Sequence, residues 1–104
     1  MTASLADFVI SSLTKQYVIV PISEVLTSGS PTADSVQMAF PLPGTEPATW
    51  ISGDWTTVSG VYYARALVGV GTSMALTRGY YDVYVKITDS PEIPVLRSGL
   101  LEVT

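Results

Sequence analysis

The chain has 104 residues, which suits one domain and is too short for two independent cores. Hydrophobic residues make up 47% of it and charged residues only 13%, so it is no disordered polar chain and must bury much apolar surface, internally or against partners. The net charge is −4, with five scattered basic residues, no cysteine and no histidine; this excludes a disulfide framework, a cysteine zinc site and any Ser–His–Asp or Cys–His arrangement, and leaves no basic run to follow a nucleic-acid backbone.

Residues 1–14 read as an N-terminal arm. Ser4 and Asp7 are spaced as in a capping box, and Leu5, Phe8, Val9 and Leu13 follow at helical spacing. A short helix and an extended arm both fit this segment. The arm lacks the positive start of a signal peptide, and no stretch approaches the roughly 20 apolar residues of a membrane span. Synthesis in the cytoplasm, with no membrane partner, is the expectation. Leu5, Phe8, Val9 and Ile10 would be wasteful in water, so the arm is expected to cover a sheet edge of its own domain or to add to a neighbour.

Residues 15–104 read as a β-domain. Gln16–Ser23 is rich in β-branched and aromatic side chains and predicts a strand. Pro21 has no N–H to donate, which places that end at a sheet edge or bulge. Thr27–Asp34 is turn chemistry. Ser35–Phe40 alternates, putting Val36, Met38 and Phe40 on one face. Residues 41–49 hold three prolines and one glycine and predict an exposed loop.

Trp50 and Trp55 bracket Ile51–Asp54, which reads as a tight turn between short strands. Val61–Val68 alternates again, with Tyr62, Ala64, Ala66 and Val68 facing one way, and Gly69–Ser73 reads as a hairpin turn. Tyr80–Thr88 is the strongest strand. Tyr81, Val83, Val85 and Ile87 form its apolar face, while Asp82, Lys86 and Thr88 point outward beside Tyr84. Asp89–Glu92 turns the chain, and Ile93–Val95 with Ser98–Val103 make a final hairpin arm. Short strands divided by Gly, Pro and Ser turns predict an all-β fold: a single antiparallel β-sandwich of immunoglobulin-like shape, without the disulfide.

Reactive constellations are sparse. Asp82, Asp89 and Glu92, with Ser90, are close in sequence, but calcium takes roughly six to eight oxygen ligands and the spacing matches no calcium loop. Asp34 and Asp54 are candidates for the paired carboxylates of a glycoside hydrolase, although so small a chain has little room for a cleft. Gly69–Ser73 lacks the lysine and helix of a phosphate loop. Binding rather than catalysis is therefore expected, with no cofactor and no metal.

Tyr81, Phe40 and one tryptophan are expected to fill the core. Tyr63, Tyr80 and Tyr84 lie on the opposite face from their core neighbours and, with Leu5, Phe8, Val9 and Ile10 of the arm, are the candidates for a protein interface. Trp50 and Trp55 leave open a carbohydrate-binding module that stacks sugars.

The run Gly79–Val95, followed by Arg97–Val103, resembles small proteins from the structural modules of tailed phages that infect actinobacteria. Val36–Phe40 and Tyr62–Val68 are similar to the same group. The resemblance implies a β-sandwich virion protein of the head or head–tail region, made in the host bacterial cytoplasm. The role it suggests first is a decoration or stabilising protein that contacts the major capsid protein or other virion proteins in a symmetric, homo-oligomeric assembly. A head–tail connector or tail component is the alternative. No functional residue is carried over by it.

Overall fold

The computed structural model describes residues 6–22, 34–88 and 93–104. Within them run β1 (Phe8–Ile10), β2 (Lys15–Ile22), β3 (Ser35–Ala39), β4 (Ile51–Ser52), β5 (Asp54–Val58), β6 (Val61–Gly69), β7 (Gly79–Thr88) and β8 (Val95–Val103). One sheet has five strands in the order β1-β8-β7-β3-β4, the other three in the order β2-β6-β5. Neighbours are antiparallel except β1 and β8. The order β2-β6-β5 facing β8-β7-β3-β4 is that of an immunoglobulin-like sandwich.

The core follows the alternation of the strands. Val18, Val20 and Ile22 of β2 and Ala64, Ala66 and Val68 of β6 point inward from the smaller sheet. They meet Val36 and Met38 of β3, Tyr81, Val83, Val85 and Ile87 of β7, and Leu101 and Val103 of β8. Phe40 is buried with them, and Trp55 packs against the cluster from β5. The Trp55 Nε1–H donates to the carbonyl of Asp34 at 2.9 Å, which satisfies its one polar atom.

At the start of β7 the Tyr81 hydroxyl donates to the carbonyl of Thr77 at 2.9 Å. This is the tyrosine corner of immunoglobulin-like domains, which clamps the chain as it crosses from one sheet to the other. Two residues further on, where antibody domains place a disulfide cysteine, stands the fully buried Val83. Packing replaces the covalent bridge.

Several local expectations change. The segment 8–10 is not helical: β1 lies parallel to β8, with Phe8 opposite Leu101 and Ile10 opposite Val103, so it closes an edge of its own sheet. The tight turn expected at Ile51–Asp54 is reduced to Gly53 between the short strands β4 and β5, which belong to different sheets. Gly53 makes the crossing: its N–H donates to the Val36 carbonyl at 2.9 Å, and a Cβ there would lie 2.5 Å from the Arg65 carbonyl oxygen. Gly69–Ser73 likewise opens a crossing between sheets, since β6 and β7 are in different ones.

The hairpin within the smaller sheet is instead Ser59-Gly60, joining β5 to β6. Both residues have positive φ, 51° and 80°, as a type I′ turn requires. The final segment is one strand paired along β7, with a bulge at Ser98 where Val83 pairs Gly99 and Tyr84 pairs Arg97. Ser4, Leu5, most of the Thr27–Asp34 turn and the Asp89–Glu92 turn lie outside the described residues.

Candidate functional site

The three-stranded sheet leaves its outer face without a partner among the described residues. Cross-strand rows build it: Tyr17 beside Leu67, Ile19 beside Arg65 and Asp54, Pro21 beside Tyr63 and Thr56. Val58 and Val61 continue it toward the hairpin. Tyr17, Ile19, Val58 and Val61 are all exposed, from 40% to 56%. Three strands about 4.8 Å apart and roughly 25 Å long give a footprint of about 350 Å². The face is mixed: Arg65, Asp54 and Thr56 stand among Tyr17, Ile19, Tyr63, Leu67, Val58 and Val61.

The charges on this face are internally matched. Arg65 and Asp54 form a two-pronged ion pair, Nε to Oδ1 at 2.8 Å and the second prong to Oδ2 at 3.2 Å. The hydrogen bond that Arg65 donates to Asp54 raises the arginine pKa above its ordinary value, against the opposing effect of burial. The guanidinium carbon also sits 4.3 Å from the Tyr17 ring centre, a cation–π contact. Pairing leaves no unmatched charge in the Arg65–Asp54 row of this face.

The outer face of the five-stranded sheet is more polar. Val9, Glu102 and Tyr80 lie in one row across β1, β8 and β7, and the Tyr80 hydroxyl donates to Glu102 at 3.4 Å. The Lys86 ammonium lies 4.4 Å from the Trp50 ring centre.

Asp82 departs from the outward, solvated position expected of it: it is 4% exposed. The proline loop folds over it. Its carboxylate accepts from the Gly44 N–H at 2.9 Å and from Arg97 Nε and a terminal nitrogen at 3.0 and 2.9 Å, while its own N–H donates to the Pro41 carbonyl. The Gly44 amide, helped by Arg97 and opposed by burial, holds the Asp82 pKa below the usual carboxylate value.

The seven expected interface residues do not form one surface. Phe8 packs on the core and Ile10 is 5% exposed, so neither is free for a partner. Leu5 is outside the described residues. Val9, Tyr80 and Tyr84 belong to the outer face of the five-stranded sheet, and Tyr63 to that of the three-stranded sheet. Tyr17, Ile19 and Leu67 were missed. The signal for Tyr17 and Ile19 is a strand apolar at every position from Tyr17 to Ile22, which leaves apolar side chains outside once one face is buried; that for Leu67 is the β6 alternation it shares with Tyr63.

Asp34 and Asp54 do line a common open depression of about 670 Å³, with Ser35, Gln37, Ser52 and Trp55. Asp54 is held by Arg65. The two tryptophans share no platform, because Trp55 packs inward while Trp50 lies under Lys86 on the far sheet. Among the described residues no three metal-ligating side chains converge. No family model, no curated protein and no solved structure matches the chain.

Proposed function

We propose that this protein is a structural component of a tailed-phage virion, working by protein–protein contact as a capsid-associated decoration or stabilising protein. The observation that carries the reading is the unpartnered apolar face of the three-stranded sheet, centred on Tyr17, Ile19, Tyr63 and Leu67. Resemblance of the β3, β6, β7 and β8 sequences to virion proteins supplies the setting.

The size of the face fits such a role. Stable one-to-one interfaces bury about 800 Å² of accessible surface per partner, about 20–30 residues a side, and the outward rows of this sheet supply fewer than that. A protein with so small a face gains occupancy when many copies or linked sites act together, as on a symmetric shell. The test is quantitative mass spectrometry of particles of the phage that encodes the chain, scaled to the major capsid protein. A ratio near one, or a simple fraction, supports decoration. A handful of copies moves the protein to the connector or tail, and its absence from particles ends the virion reading.

A further inference from the structure

Four sheet edges are present, and three of them are short: β1, β4 and β5 have 3, 2 and 5 residues. The fourth is β2, with 8 residues and no strand beside it among the described residues. Long open edges are normally blunted, because their free N–H and C=O groups recruit another strand. Here Lys15 and Pro21 guard the two ends, and Gln16–Val20 between them carries no charge.

The hydrogen-bond phase of this edge is fixed by its partner. Val70 donates to the Thr14 carbonyl, while Gly69 donates to Met74 and accepts from Thr72. Lys15, paired with Gly69, therefore turns its backbone groups away from β6. In an antiparallel ladder the phase alternates, so Tyr17, Ile19 and Pro21 also present theirs to the open side. Pro21 thus costs β6 nothing, and three intact N–H groups remain on the edge.

We infer that β2 is a self-association edge, pairing antiparallel with β2 of a second copy about a two-fold axis at Tyr17. In that register Tyr17 meets its own mate and Lys15 meets Ile19, so no like charges stand opposite. Each of these pairs exchanges both backbone hydrogen bonds. Pro21, which has no N–H, falls beyond the ladder near Leu13 of the second copy. Leu13 is 82% exposed, the most exposed large apolar side chain described, and its N–H is already committed to Ser11. The sequence of β2 complements itself in this register, whereas sliding the axis to residue 18 sets Pro21 against Lys15 and loses a donor. The two smaller sheets then form one continuous six-stranded sheet, doubling the apolar outer face.

The inference stands on the edge alone and does not need the virion reading, so either can fail without the other. Its test is sedimentation equilibrium across about 1 to 100 µM, spanning weak to moderate association, on the wild type, Ile19→Pro and Ile19→Lys. Proline is tolerated where the N–H faces outward, so Ile19→Pro keeps the β6 ladder while removing the Ile19 donor of each copy, which faces Lys15 of the other, and circular dichroism checks its fold. The expected result is a concentration-dependent dimer for the wild type, with association weakened at least tenfold in both variants. A wild type monomeric throughout, or a dimer that both folded variants retain, overturns the proposal.

Discussion

Replacing Asp82 with alanine tests how the proline loop is held. The carboxylate is buried and accepts three hydrogen bonds at 2.9 to 3.0 Å, from Gly44 and Arg97. Hydrogen bonds to charged groups contribute about 1.5–3 kcal/mol each. The Arg97 side chain is half exposed and regains water when released, so its share falls toward the surface-pair range of about 0–1 kcal/mol. The Gly44 bond and the Arg97 pair together give a loss of about 1.5–4 kcal/mol, centred on ~2.5. At about 4–8 °C per kcal/mol for a domain of this size, Tm drops by roughly 10–20 °C. Asp82→Asn keeps an acceptor for Gly44 and should lose less.

The same substitution carries a pH signature. Because the folded-state pKa of Asp82 is lowered, its contribution is full above the ordinary aspartate value and disappears as pH falls below that value through the folded pKa. Thermal melts followed by circular dichroism at neutral pH and through the acid range should show the wild type converging on Asp82→Ala as the carboxylate protonates. A variant melting within 2 °C of the wild type at neutral pH, a gap too small for about 1 kcal/mol, would refute the account of the loop. So would a difference that persists undiminished in acid.

Three other substitutions probe the frame. Tyr81→Phe removes the bond to Thr77 and should cost about 0.5–1.5 kcal/mol in urea unfolding with m unchanged. Gly53→Ala forces a methyl against the Arg65 carbonyl and should destabilise by about 1–3 kcal/mol, measured in the same way. Met38→Ala, at a position with no exposure, should cost about 2–5 kcal/mol.

Much of the sandwich was legible in the sequence because alternation is a local signal. The inward residues of β3, β6 and β7 were read from period-two patterning, and Pro21 from its missing donor. Turn chemistry was less informative: Ile51–Asp54 and Gly69–Ser73 announce a change of direction, but not which sheet receives the next strand. That choice rests on contacts such as Gly53 to Val36 and Arg65, far apart in sequence.

Asp82 was misread for the same reason. Its parity on β7 does point away from the core, and only the fold-over of residues 41–45 buries it. The arm depended on a bond as distant as Leu100 N–H to the Asp7 carboxylate, 93 residues apart. Of the candidate site, Tyr63 was legible from its strand face. Tyr17 and Ile19 were not, because an all-apolar strand does not declare which face is covered; Leu67 shares the parity of Tyr63 on β6.

The proposed seat of this protein on a virion is the outer face of the three-stranded sheet. Tyr63 lies on β6, in the middle of that face, and Tyr63→Glu places a charge there while leaving the β2 sequence unchanged. Particles produced with the wild type or with Tyr63→Glu would be purified and the copies of the chain counted by mass spectrometry, with circular dichroism verifying the fold of the variant. The account predicts at least about a tenfold loss of incorporated copies, equivalent to ~1.4 kcal/mol of binding. Equal incorporation of a folded variant would contradict it.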